Sequence, residues 1–278
     1  MNNEELIFCP LGGSGEIGMN MNLFGYGPPG NHKWIMVDIG VTFADDTIPG
    51  VDLIYPDPGF IVDKKDDLVG LVLTHAHEDH IGAIAHVWPK LQCNIYATPF
   101  TSVLIQEKFK EKKIDIGNKL KIVQLNGNVT VGPFKIDFVT LTHSILEPNG
   151  LSIETPAGVV LHTGDWKCDP NPLIGQTVNE KKLKEIGSRG VLAMICDSTN
   201  VFSPGKAGSE ADVRESLLKI MKNQKDPIGP HNDKIISQSI MWADDILCAW
   251  GIHGKYLNRS LKLESLLKSQ NYFLLMVI

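Results

Sequence analysis

Residues 71–82 read Leu71-Val72-Leu73-Thr74-His75-Ala76-His77-Glu78-Asp79-His80-Ile81-Gly82. The apolar run from Leu68 to Leu73 is a buried-strand pattern, and Thr74 marks where the strand gives way to a turn. His75 and His77 are two apart, so extended backbone points both to one side. Asp79 and His80 stand where Ile81, Ile84, Ala85 and Trp88 begin a helical spacing, which places them at a helix N-terminus. One strand-to-helix corner therefore offers four groups that bind metal when deprotonated. Imidazole with carboxylate suits zinc, less exclusively manganese or iron, and the lack of a cysteine argues against a closed structural zinc site. The bland alternative is three histidines satisfied singly in a polar loop. It would crowd titratable groups together with no counter-ion.

Moving outward, more candidates stand at strand ends. His143 follows the alternation of Ile136, Phe138 and Leu141; Asp165 follows Val159-Val160-Leu161 and a glycine; Asp197 follows the apolar run from Val191 to Ile195, expected to be a buried strand. Asp197 opens Asp-Ser-Thr-Asn, which is also a common strand-to-turn ending. Asp38 closes a strand expected over 33–39, where it either caps a loop or orients a metal-bound histidine. Gly13 to Gly18 spell Gly-x-Gly-x-x-Gly, but a dinucleotide-binding turn must open a helix. Residues 19–26 alternate as a strand does, so a tight loop between strands 5–11 and 19–26 is expected instead. Residues 45–67 read as loop. Pro99 to Lys112 reads as a helix with Val103, Ile105 and Phe109 turned inward and Lys108, Lys110 and Lys112 on a solvated face. Several strands are expected over 120–162, so the elements suit two sheets flanked by helices.

The chain has 278 residues, 43% hydrophobic and 21% charged, which is ordinary for a soluble globular protein. The C-terminal apolar run from Phe273 is too short to span a bilayer, and no basic-then-apolar leader opens the chain, so a cytoplasmic protein without a membrane partner is expected. Five scattered cysteines suit reduced core thiols. A net charge of −6 argues against a broad nucleic-acid footprint but leaves room for a local site where divalent metals supply the positive charge.

Leu-Gly-Gly-Ser-Gly-Glu-Ile-Gly at 11–18, Val-Asp-Ile-Gly-Val-Thr-Phe at 37–43, Pro-Gly-Val-Asp at 49–52 and Tyr-Ala-Thr-Pro-Phe at 96–100, together with the metal corner, resemble bacterial ribonuclease J over about 7–222. That family belongs to the β-CASP group of metal-dependent nucleases with the metallo-β-lactamase fold. The resemblance implies an αββα sandwich, and two divalent metal ions, zinc or alternatively manganese. It assigns His75, His77 and His143 to one ion, Asp79 and His80 to the other, and Asp165 between them. Asp197 matches the first acidic motif of the group, so Asp79 and Asp197 are the candidate catalytic residues. The implied reaction is hydrolysis of RNA phosphodiester bonds, exonucleolytic or endonucleolytic, by a hydroxide that two metals activate. Homo-oligomerisation is left open.

The resemblance further divides the chain into a metallo-β-lactamase core at 1–208, the start of a β-CASP insertion at 209–225, where a capped amphipathic helix is expected, and an unrelated α/β tail at 226–278. The tail resembles part of a small bacterial family of no known role, and its His231 and His253 read as turn residues. The core is expected to be incomplete, lacking the rest of the β-CASP domain and the last metal-binding histidine, so weak RNA hydrolysis by these 278 residues alone is expected. Two alternatives are a non-catalytic fragment that binds metal or a partner, and another hydrolase of the same fold.

Overall fold

The computed structural model describes residues 4–44, 48–205 and 211–212. Of the expected helix from Ser209 only Ala211 and Asp212 are described, and they are helical; the tail with His231 and His253 lies outside the described residues.

Two sheets form the centre. The first takes β1 (Glu5–Gly12), β2 (Met21–Gly27), β3 (Lys33–Val37), β6 (Leu68–Val72), β7 (Ile95–Ala97) and β8 (Leu120–Ile122), in that spatial order, with the short pair β4 (Thr42–Phe43) and β5 (Leu53–Ile54) to one side. The second runs β13 (Ala193–Ile195), β12 (Gly158–His162), β11 (Asn149–Thr155), β10 (Phe134–Thr140), β9 (Asn128–Val131). Helices α1 (Gly59–Asp63), α2 (Glu78–Ile81), α3 (Ile84–Leu91) and α4 (Pro99–Glu111) accompany the first sheet, and α5 (Glu180–Ser188) the second.

Period-two alternation explains the layering. On β2 and β3, Met21, Leu23, Trp34 and Met36 join one core with Ile84, Trp88, Ile105 and Phe109 of the helices. Their neighbours Phe24, Tyr26, Ile35 and Val37 join a second core with Phe134, Ile136, Phe138 and Ile153 of the other sheet. A smaller cluster of Val139, Val159 and Ile186 lies under α5. The order is helix, sheet, sheet, helix, the sandwich expected from the sequence. Among the described residues no helix is long and apolar enough to cross a membrane.

Several expectations need correction. Residues 45–67 are not all loop, because α1 and β5 fall there. The helical spacing after Asp79 is split into α2 and α3 by a turn at Gly82 and Ala83. On α4 it is Leu104, not Val103, that turns inward with Ile105 and Phe109; Val103 is exposed. Lys108 does not lie on a solvated face: its ammonium pairs with Glu78. The strand ending at Ile195 is not buried, since Leu192 and Met194 stand exposed. There β13 has β12 as its only strand neighbour among the described residues, so a hydrophobic run marks an edge rather than a centre.

Candidate metal centre

The carboxyl ends of β3, β6, β10, β12 and β13 meet at one edge of the sandwich, and the residues that follow them carry the chemistry. The segment after β3 sets the floor. Ile39, Val41 and Asn20 donate their amides to the carbonyls of His80, Glu78 and Asp79, pinning the α2 backbone from beneath. Gly40 makes this approach possible, because a Cβ there would lie 1.6 Å from the Asp79 carbonyl oxygen.

Asp38, fully buried and with φ +64°, resolves the two readings of its strand end in favour of orienting a histidine. Its Oδ1 accepts the Thr74 amide at 2.8 Å, and its Oδ2 accepts the Thr74 hydroxyl at 2.8 Å and His80 Nδ1 at 2.7 Å. Thr74 has one hydroxyl proton, given to Asp38, so its oxygen accepts from His75 Nδ1 at 2.9 Å. Both imidazoles are thereby held with Nδ1 protonated and Nε2 directed to the cluster.

Three ring nitrogens then converge. His75 Nε2 lies 3.0 Å and His143 Nε2 3.1 Å from His77 Nδ1. Burial, the largest cause, holds His75 and His77 well below the usual histidine range, and neighbouring imidazoles, His143 among them, add to it. Burial likewise takes His143 down to about 4. Neutral imidazoles are the form that binds metal.

A second cluster groups His75, His80 and Asp165. His80 Nε2 lies 3.3 Å from Asp165 Oδ1 and 3.5 Å from Asp79 Oδ2, while Asp165 Oδ2 lies 3.6 Å from His143 Nε2, so Asp165 turns one oxygen toward each cluster. Burial would lower His80, but Asp79, Asp165 and Asp38 outweigh it and raise it well above its ordinary value. Burial would raise Asp165, but His80 and the other imidazoles hold it well below the carboxylate range. Burial, helped by Asp165 and opposed by His80, pushes Asp79 up to about 7. A positive charge between these carboxylates is what the arrangement stabilises. The donor set fits a divalent cation there, with the proton on His80 Nε2 released as the cation enters.

The structure thus brings together all seven candidate residues. His75, His77 and His143 form one group, while Asp79, His80 and Asp165 adjoin it. Asp197 lines, with Asp79, His80 and Asp165, a cavity of about 580 Å³ whose wall includes the glycine loop. Asp197 also caps its own turn, since its Oδ1 accepts the Thr199 amide at 2.9 Å and the Thr199 hydroxyl at 2.8 Å. The glycine loop leads into the strand β2 and not into a helix, against dinucleotide binding.

Sequence reasoning missed His162. It shares the inward face of β12 with Val160, its Nδ1 accepts the Gly164 amide at 3.0 Å, and its Nε2 has no hydrogen-bond partner among the described residues. The signal was its place at a strand end three residues before Asp165. It also missed that Asn20 Nδ2 comes within 3.2 Å of His80 Nε2.

The family model described as Metallo-beta-lactamase superfamily matches residues 26–228, and one described as Protein of unknown function (DUF1643) matches 211–276. The chain is 46% identical over 229 residues to a ribonuclease J of Sinorhizobium meliloti, covering 82% of this chain and 40% of that protein. It is 44% identical to a ribonuclease J of Corynebacterium glutamicum, covering 77% of this chain and 29% of that one. The chain therefore spans less than half the length of these curated relatives. A crystal structure of a protein of unknown function from Enterococcus faecalis V583 superposes with a TM-score of 0.52 at 18% identity, covering 79% of this chain and 57% of that one, a likeness of fold.

Proposed function

Because this chain belongs to the metallo-beta-lactamase superfamily, we propose that it is the metal-binding part of a ribonuclease of the ribonuclease J type, hydrolysing phosphodiester bonds of RNA. The observation that carries this reading is Asp165, one oxygen toward His80 and the other toward His143, as a carboxylate shared by two cation sites would lie. The substrate class comes from the ribonuclease J relatives.

In this reading His75, His77 and His143 hold one divalent ion, Asp79 and His80 the other, and Asp165 both; zinc suits the donors best and manganese next. Bound there, the ions supply Lewis-acid charge for a phosphoryl oxygen and lower the pKa of water. The chain's own residues do the rest. Asp38 and Thr74 hold Nδ1 of His80 and His75 as the hydrogen-bonded nitrogen, which leaves Nε2 as the atom that would face the ions. Asp197, on the wall of the same cavity, orients the attacking water or relays its proton, with Asp79 as the alternative for that role. The glycine loop serves as a wall for the substrate.

We also propose the division into a core at 1–208, the beginning of an inserted domain at 209–225 and a separate tail at 226–278, and a cytoplasmic location. A non-catalytic module that binds metal or a partner is the second reading, favoured by the match of 211–276 to a different family.

The test is elemental analysis of the purified chain together with its hydrolysis of RNA bearing a 5′-monophosphate. Bound divalent metal and cleavage abolished by Asp165→Asn support the nuclease reading. Metal without cleavage, even at high enzyme concentration, supports the second reading, and no metal overturns the nuclease reading and leaves of the second only a partner-binding module.

A further inference from the structure

We propose that helix α4 is a splint that sets the spacing between the two ligand-bearing segments, with Lys108 and Glu147 as positioning residues for the metal centre; the inference rests on the metal-binding reading above.

The helix grips one segment near each end. In its first turn the Phe100 amide donates to Glu147 Oε2 at 2.8 Å, and Glu147 stands four residues beyond His143. Toward the other end the Lys108 ammonium donates to Glu78 Oε1; Glu78 follows His77 and opens α2, the helix that carries Asp79 and His80. The eight residue steps between Phe100 and Lys108 span about 12 Å of helix. The splint is itself rigidly seated, because Leu104, Ile105 and Phe109 are buried in the core beneath it.

Both grips are where the ligands need external support. Helix α2 has four residues, too few to hold its own shape. Asp79 on it reaches His80 Nε2 with Oδ2 at 3.5 Å, while its buried Oδ1 has no hydrogen-bond partner among the described residues to fix the side chain. The segment after β3 pins the α2 backbone on one side, and Lys108 supplies a side-chain tether from α4. The pair is nearly dry, with side chains 18% and 9% exposed, so water competes little for it. Glu147 has φ +55°, a left-handed conformation that a residue with a Cβ keeps only where its surroundings hold it. The Phe100 amide does so from one side, and Asn149 Nδ2, donating to the Glu147 carbonyl at 2.6 Å, from the other.

The two grips bear mainly on different ions, since Glu78 shares α2 with Asp79 and His80 while His77 stands just before that helix, and Glu147 lies on the segment of His143; this makes the inference testable without turnover. Cadmium titration of the full chain, followed by cadmium-113 NMR, reads each site separately. Lys108→Met is expected to weaken the ion held by Asp79 and His80 at least tenfold while the three-histidine resonance persists, with Lys108→Arg recovering most of the loss. Glu147→Ala is expected to do the reverse, weakening the three-histidine ion. Near-ultraviolet circular dichroism checks the fold, and Lys108→Gln replaces Lys108→Met if the latter is unfolded. Two ions in the parent chain with both variants unchanged, or with both ions lost equally in each folded variant, would overturn the splint. A parent chain that binds no cadmium would instead sink the metal-centre reading on which it stands.

Discussion

Asp38 Oδ2 accepts a 2.7 Å hydrogen bond from His80 Nδ1 across 42 residues of sequence, with both side chains out of reach of solvent. The carboxylate lies behind the imidazole and not in the cluster, so its effect on a bound ion is exerted through the orientation and basicity of His80. Asp38→Asn should lower divalent-metal affinity by roughly 10- to 100-fold. Asparagine tolerates positive φ, so the backbone should be undisturbed and the loss should report the charge. Calorimetric zinc titration checks this, and equal affinities would remove Asp38 from the metal centre.

His77 Nδ1 lies about equally far from His75 Nε2 and His143 Nε2, at 3.0 and 3.1 Å, which makes it the middle of the three-histidine group. His77→Ala should markedly reduce bound metal, because the remaining two imidazoles no longer face a common donor. Elemental analysis of the purified variant reads this directly; unchanged zinc and manganese would refute the ligand assignment.

Gly40→Ala tests the floor beneath the ligands. The added methyl cannot fit against the Asp79 carbonyl unless α2 or the segment after β3 moves, and cores resist such insertion by about 1–3 kcal/mol or more. The variant should unfold at lower urea concentration and bind metal more weakly. A midpoint equal to the parent's would show that the segment yields freely.

Burial takes His162 down to about 4, so it is neutral in the folded chain at neutral pH. Unfolded, it titrates near 6.5. Between these values the unfolded state binds more protons, so this group's contribution is fully present above about pH 6.5. It is lost as pH falls toward about 4, by roughly 3 kcal/mol at most. Below that the two states bind alike and the dependence levels off. His162→Gln should flatten the part of the stability curve that belongs to this residue, as measured by urea unfolding of metal-free protein from pH 7.5 to 4.5. A slope equal to the parent's would mean that His162 is not neutral when folded.

The glycine loop should bind no dinucleotide, because β2 follows it and offers no helix N-terminus to a pyrophosphate. Saturable NAD binding by calorimetry that Gly15→Val abolishes would overturn this.

The sequence by itself determined which groups could serve and where the strands must end. The period-two alternation of Met21 to Tyr26 and of Phe134 to Phe138 defines sheet faces, and His75, His77, Asp79 and His80 are too close in the chain to part far. The tertiary structure decided how they combine. His75 belongs to the three-histidine group and also lies with His80 and Asp165, a sharing that no spacing along the chain expresses. Lys108 reads from the sequence as one of several surface lysines, and only the packing of α4 beside α2 turns it toward Glu78. Leu192 and Met194 read as core, yet stand exposed just before and on the edge strand β13. The physical reason is one of range. Alternation and ligand type are local properties that the backbone period imposes, whereas metal-site geometry, ion pairing and edge position depend on which distant segments the two cores bring into contact.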